Sequence, residues 1–486
     1  MKPKLLLLFI LFFSINIFAQ LDINEPFGRN NEYVDFSDSS VHSNFSPSYF
    51  ENKDSLLQFS VSPIYYISPK FDLANSRLYE NLYFGTQFDI SYKKFQLNTS
   101  LYIGMRSKRG ITGEITDTLF TLPIDGILLK LSDNKAFYGN IVGDFSYQPS
   151  DFITFQIGNN KVFLGDGYRS LILSDFSNPY PYFKTTVKIW KIQYLWMISH
   201  QQGYDNRFST YWSDFKAKNI FTHYLSFNFF RWFNFSMFET VVTSPIDSIG
   251  GHRGLDFNYL NPVIFYRPVE MSIGSPDNVL VGFTGHLKFF KSTMLYGQVF
   301  IDEFILSHIK SSDEYWDEKY GIQAGYKCYN TFNVKNLYTQ LEFNATRPYT
   351  YSHSNPINAY TNANLPLAHP LGANFIEAVG IVSYQYKDYF AELKLSYAKY
   401  GDNDTINYGH NPILSYNSRI SDNNILWLQG VKTSLATAQF SFGFRKKRVL
   451  LEFDLIYRRL SSAVLHNNLY VGTRFGIPLF KQYWDN

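Results

Sequence analysis

What this chain can fold into is limited first by a two-residue period that recurs in strand-length runs along most of its 486 residues. In FQLNTSLYI, Phe95, Leu97, Leu101 and Ile103 alternate with Gln96, Asn98 and Ser100. In LYTQLEFN, Leu337, Thr339, Leu341 and Phe343 oppose Gln340, Glu342 and Asn344. YFAELKLSY sets Leu393, Leu395 and Tyr397 against Glu392, Lys394 and Ser396, and VLLEFDLIY sets Leu451, Phe453 and Leu455 against Glu452 and Asp454. One such run is an ordinary half-buried strand. Many of them, each about 10 residues or longer, describe a wall with hydrocarbon on one side and water on the other. The rhythm yields about 18 strands between Leu56 and Ile477, an even number as a single-chain outer-membrane barrel requires.

The connections sort themselves. Tight turns are expected around Lys93–Lys94, Gln148–Asp151, Trp190–Lys191, Phe230–Arg231, Phe290–Lys291, Lys387–Asp388 and Lys446–Lys447, with a slightly longer one at Asn330–Lys335. Between them lie long connections at Arg106–Lys135, Val162–Tyr182, Gly203–Lys218, Ser244–Ser275, Arg347–Leu371 and Gly401–Gly430, and shorter ones near Ser68–Leu78, Leu306–Tyr315 and Ser461–Asn467. One rim is therefore all hairpins and the other a canopy of loops, the asymmetry of periplasmic turns and extracellular loops. A soluble two-sheet sandwich would neither sort its loops this way nor place Glu and Lys at alternate positions in strand after strand. The expected fold is all-β: a transmembrane antiparallel β-barrel of the outer-membrane type over residues 55–486. In hydrocarbon every backbone donor and acceptor must pair within the protein, so the sheet has to close. A lumen of about 18 strands is too wide for wall side chains to fill, leaving water or folded-in loops.

Composition agrees. Aromatic residues are 19% of the chain and charged residues 17%, the latter against about 25% in ordinary soluble domains; Tyr and Trp suit the two interface girdles. The opening MKPKLLLLFILFFSINIFAQ has Lys2 and Lys4, an apolar core from Leu5 to Phe13, and a small Ala19. That pattern predicts a secretory signal peptide over 1–19, cut near Ala19, and a mature protein in the outer membrane of a Gram-negative bacterium. Residues 20–54, rich in Asn, Ser and Asp, are expected as a periplasmic lead-in or a segment entering the lumen. A formal net charge of +3 gives no electrostatic case for nucleic acid. No Gly-x-Ser-x-Gly, phosphate-loop or His-Glu-x-x-His pattern is present, so no catalytic constellation, cofactor or metal site is expected and the chain does not read as an enzyme.

The stretch FLGDGYRSLILSDFSNPYPYF places Gly165, Gly167 and Ser170 almost on a dinucleotide-binding spacing. Such a loop must open a helix, and Pro179 and Pro181 leave no room for one. The same residues resemble the signature block of the Wzi-like capsule-assembly outer-membrane proteins, through Gly165, Gly167, Ser170, Leu171, Ile172, Leu173, Ser174 and Pro181. A second block, NPVIFYRPVEMSIGSPDNVLVGF followed by LYGQVFIDEF, resembles that family's later region through Asn278, Gly282, Tyr296, Gly297, Gln298, Asp302 and Glu303. NPVIFYRPVE and GDGYRSLILSD are most like its gliding-motility-associated branch, called RemB-like. The resemblance implies a barrel that binds or organises surface polysaccharide in capsule assembly, or supports gliding motility. Its implied partners are outer-membrane lipid, surface polysaccharide and envelope or gliding-machinery proteins.

Sugar rings offer apolar C–H faces to aromatic rings while their hydroxyls seek polar partners. On the loop rim the glycan-binding candidates are Tyr168, Arg169, Asp175, Tyr180 and Tyr182, then Tyr266, Arg267, Glu270 and Asn278, with Arg169 and Arg267 placed to clamp an acidic sugar's carboxylate. The competing role for such arginines is structural: ion pairs that hold loops in the lumen, with Asp302 and Glu303 as the first partners to consider. LNPVIFYRPVE has the makings of a short helix with Asn261 as N-cap and Pro262 in its first turn. A wide lumen equally suits a passive diffusion channel, and the loop rim an accessory subunit of a surface secretion or motility machine.

Overall fold

Open sheet edges cannot stand in hydrocarbon, and this chain removes them by closing one antiparallel sheet on itself. The computed structural model describes residues 57–112, 125–204, 215–244, 254–262, 277–290, 292–302, 314–446 and 448–485. The wall has 18 strands. The first six are Gln58–Asp72, Arg77–Tyr92, Phe95–Ser107, Lys135–Ser150, Ile153–Asn160 and Tyr180–Ile189. Then come Ile192–Tyr204, Phe215–Phe230, Phe233–Thr243, Asn278–Phe289, Thr293–Ile301 and Tyr320–Tyr329. The last six are Leu337–Thr346, Phe375–Tyr386, Tyr389–Asp402, Val431–Lys446, Val449–Ser461 and Leu465–Gly476. The first strand pairs with the last, Tyr66 opposite Gly476 and Asp72 opposite Tyr470, which closes the barrel. A short extra strand, Ile127–Leu131, pairs with Lys135–Ser150.

The alternation read from the sequence is the alternation of the wall. Leu451, Phe453, Leu455 and Tyr457 face out, while Glu452 and Asp454 are buried inside. Gln340, Glu342, Asn344 and Lys394 are buried likewise. The interior is thus a polar lumen with paired charges in it: Lys70 Nζ lies 2.5 Å from Asp454, and Arg474 bridges Asp454 and Glu452.

All eight hairpin turns lie on one rim, as expected, at 93–94, 151–152, 190–191, 231–232, 290–292, 330–336, 387–388 and 447–448. Three sit one to three residues later than their expected starts, because the flanking residues continue the period and leave the boundary unmarked. The expected short helix after Asn261 falls on 263–270, outside the described residues. A 3-10 turn forms just before it, at Phe257–Leu260, capped by the Asp256 carboxylate and ended by Asn261. The proposed signal peptide, residues 20–54, Tyr266, Arg267, Glu270 and Glu303 lie outside the described residues.

Three segments fill the lumen. Two descend from the loop rim: the connection 161–179 and the connection 347–374, which carries a small hairpin, Thr361–Asn362 with Leu365–Pro366. The third, 477–485, enters from the hairpin side. Gly476 makes that entry possible. Its φ of +126° suits glycine, and a Cβ there would lie 2.0 Å from the Tyr65 carbonyl oxygen. The next residue is then caught, Ile477 N donating to Tyr65 O at 2.7 Å. Tyr83 Oη donates to Ile477 O at 2.9 Å and accepts from Leu479 N at 2.7 Å.

Candidate functional site

The centre of the barrel is built around the 161–179 connection, whose residues from Val162 to Asn178 are almost all buried. Its apolar side chains Leu164, Leu171, Ile172 and Leu173 share one cluster with wall residues such as Leu195, Phe238 and Phe300, and with Tyr351 and Tyr360 of the second lumen segment. Its backbone is gripped by side chains of the wall. Glu342 accepts from Tyr168 N at 2.6 Å and Arg169 N at 3.0 Å, and also from Tyr296 Oη at 2.7 Å. Gln298 Oε1 accepts from Leu171 N at 2.8 Å, and Gln323 Nε2 donates to Arg169 O at 3.1 Å. Close approach explains Gly167: a Cβ there would meet Glu342 Oε2 at 2.6 Å.

Arg169 is the hub. Its Nη2 lies 3.0 Å from Glu377 Oε1 and 3.2 Å from Asp485 Oδ1, and it donates to the Asp485 carbonyl at 3.0 Å. Its guanidinium also stacks over the rings of Tyr168 and Tyr483. His369 Nε2 sits 2.7 Å from the other Glu377 oxygen, tying in the second lumen segment. Tyr168 Oη accepts from Lys394 at 2.8 Å and donates to Asp485 Oδ2 at 3.0 Å. Lys481 lies 3.8 Å over the Tyr168 ring. Burial tends to raise the Asp485 carboxyl, but Arg169 above all, then Lys394, outweigh it and hold this group well below the ordinary carboxylate range. One arginine therefore joins a loop from outside, a tail from the periplasmic side and three strands of the wall.

Compared with solved structures, the chain is similar to Wzi of Escherichia coli, described as an outer-membrane protein of group 1 capsule assembly and a carbohydrate-binding β-barrel. The TM-score is 0.53 at 14% identity, over 85% of this chain and 84% of that one. The fold is Wzi-like. Two porin-type barrels also align: OprD of Pseudomonas aeruginosa (TM-score 0.44, 8% identity, 87% of this chain and 96% of that one) and OccAB2 of Acinetobacter baumannii (0.47, 9%, 86% and 97%). No family model and no curated protein matches the sequence.

On this Wzi-like fold the two quoted sequence blocks meet. Gly165 lies against the Gln298 amide, and Ile172 packs where a Cβ on Gly282 would stand, 2.8 Å away. Ser170 Oγ donates to Leu164 O at 2.7 Å and Ser174 caps the second lumen segment at Leu367 O. Gly297 abuts the backbone of Gln323, and Pro181 opposite Asn159 opens the following strand. Asp302 does not partner Arg169 as expected; it accepts from Tyr351 N at 2.7 Å and lies 3.4 Å from Lys319.

The glycan candidates stand elsewhere than expected. Tyr168, Arg169, Asp175, Tyr180, Tyr182 and Asn278 are all buried. Asp175 accepts from Tyr483 Oη at 2.5 Å, Tyr182 Oη donates to Asp144, and Asn278 donates to Asn358 O at 3.0 Å. Their polar groups hold the lumen filling together instead of facing outward. Sequence reasoning missed Glu377 and Asp485. Glu342 and Lys394 were visible as lumen positions, and the aromatic run past the last strand, FKQYWD, was the available sign of a buried tail.

A different group does face the outside. On the loop rim Trp316 and Tyr416 have ring centroids 4.4 Å apart, and the Arg419 guanidinium lies 4.2 Å over Trp316. Arg419 Nε donates to Asp422 at 2.6 Å, while Trp316 N donates to Asp422 O at 2.9 Å, so two loops are locked together. All three stacked side chains are half-buried, and Asn417, Ser418 and Asp422 beside them are exposed.

Proposed function

We propose that this chain is a sealed outer-membrane barrel that binds surface polysaccharide on its loop rim. The observation that carries the reading is the filled lumen: with 161–179, 347–374 and 477–485 inside the wall, the outer end is a platform and not a mouth. The platform has the composition a sugar needs, with the stacked Trp316–Tyr416 pair for C–H faces and Asn417, Ser418 and Asp422 for hydroxyls. Its likeness in fold to a carbohydrate-binding barrel points the same way. Filling also argues against a passive diffusion channel.

The connections on this rim carry 12 basic and 20 acidic side chains, a net of −8. With Arg169 committed inside, that field favours a neutral glycan over an acidic one. The test is retention of neutral mannan or dextran, and of alginate as the acidic comparison, by the detergent-purified protein on a support. Trp316→Ala and Tyr416→Ala should each weaken neutral-glycan retention by up to about tenfold, the scale of one lost aromatic stack. Folded protein that retains no glycan, or variants that bind as before, would remove the reading.

A further inference from the structure

The opposite rim carries the reverse charge. The eight hairpin turns hold nine basic residues and two acidic ones, a net of +7 in a chain whose formal net charge is +3. Seven of the eight turns contribute, with Lys93, Lys94, Lys191, Arg231, Lys387 and Arg448 among them. The same turns expose large aromatic side chains: Trp190 at 82%, Phe290 at 92% and Phe332 at 89%. Cation and ring come as pairs, Lys93 over Tyr92 at 5.1 Å, Lys191 over Trp190 at 5.2 Å and Lys387 over Tyr386 at 5.4 Å.

Backbone geometry argues that these side chains are there for a reason. Two-residue hairpins need positive φ, for which Asn and Gly are the low-cost choices. Here Lys93, Trp190 and Lys387, each in a two-residue turn, hold φ of 50°, 53° and 54°. A left-handed conformation costs a side-chain-bearing residue about 1–2 kcal/mol. A strained Lys or Trp at turn after turn therefore offsets a recurrent backbone cost with something outside the fold. Two-residue turns cannot reach far from the wall, so they stay at the level of the lipid headgroups, continuous with exposed Phe229, Phe230 and Trp232 of the outer belt.

We propose that the hairpin rim is a binding belt for anionic phospholipid headgroups of the periplasmic leaflet. The Lys and Arg side chains take the phosphates, and the tip aromatics lie in the interface and hold the cations over it. The belt fixes the barrel's height and orientation in an asymmetric membrane, independently of whether the other rim binds sugar.

The full barrel in mild non-ionic detergent is offered equal amounts of phosphatidylethanolamine and phosphatidylglycerol with matched acyl chains, and retained lipids are counted by native mass spectrometry. Phosphatidylglycerol should be enriched, less so at high salt. Lys93→Gln/Lys94→Gln and Lys191→Gln/Arg231→Gln, tested as separate pairs so that folding is kept, should each reduce the enrichment by about fivefold or more, the effect of one cation at an anionic surface. Lys130→Gln/Lys432→Gln, at the loop-rim end, should leave it unchanged. Equal retention of the two lipids by the wild type overturns the proposal. So does full enrichment in both turn variants, which would make the basic rim a surface for an acidic periplasmic protein.

Discussion

Arg169 and Asp485, 316 residues apart, meet in the middle of the barrel with both side chains shut off from water. A loop from the outer rim and a tail from the periplasmic side are thereby joined through one buried ion pair, which Glu377 of the wall completes. Buried charges contribute little when paired and cost heavily when a partner is removed.

Arg169→Ala takes away the guanidinium that Glu377 and Asp485 share and leaves them to His369 and Lys394 alone, at a cost of up to about 3–5 kcal/mol to the packing of the lumen. The wall, held by its own hydrogen-bonded ladder, should survive. The expected outcome is a folded barrel that conducts ions in planar bilayers where the wild type stays closed. Arg169→Lys, which keeps the charge but loses the fork, should open less often. A silent Arg169→Ala barrel would show that the hub does not hold the filling in place.

The Asp485 carboxylate gives this assembly a pH limit. Its value in the folded protein lies below its unfolded one, so its contribution is fully present above about pH 3.9 and is lost as pH falls from there through the folded value. Conductance should therefore stay closed from pH 8 to about 5 and rise only in stronger acid. Asp485→Asn should lose part of the filling's stability at neutral pH and show a smaller acid step. Opening of the wild type between pH 7 and 5 would point to a different titrating group.

The wall was legible because lipid on one side and water on the other write a period into every strand, as Leu451 to Tyr457 display. The filling was not. The partners of Arg169 lie 208 and 316 residues away in sequence, and a single chain carries no local sign of which carboxylate a buried guanidinium will find. Asp302, nearer in sequence and set in a recognisable block, was the natural expectation; Lys319 and the Tyr351 amide hold it instead. A loop such as 161–179, with Gly165, Gly167 and Tyr168 on a rim, looks the same in sequence whether it covers the lumen or drops into it.

Register and depth can be tested on the outer face. Leu455 stands midway along Val449–Ser461, while Leu451 is only two residues from its hairpin end. Leu455→Arg should cost about 2–4 kcal/mol and Leu451→Arg about 0–1 kcal/mol, because the penalty for a lipid-facing cation falls towards the interface. Reversible unfolding in denaturant from lipid vesicles measures both. Equal costs would mean that the strand sits at another height in the bilayer.

Gly476 decides whether the tail enters at all. Valine there would have to hold φ near +126° and place its Cβ against the Tyr65 carbonyl, and a β-branched residue resists both demands. The strand ahead of it keeps its partners on both sides, so the barrel should form with 477–485 left outside the lumen. Lys481, half-buried beside Tyr168 in the wild type, would then be open to a lysine-specific protease. Limited digestion of the detergent-solubilised protein should clip Gly476→Val rapidly near its C-terminus and leave the wild type whole, with the variant also conducting. A wild type clipped at the same rate would mean that the tail does not stay in the lumen, and the closed platform would lose its support from the periplasmic side.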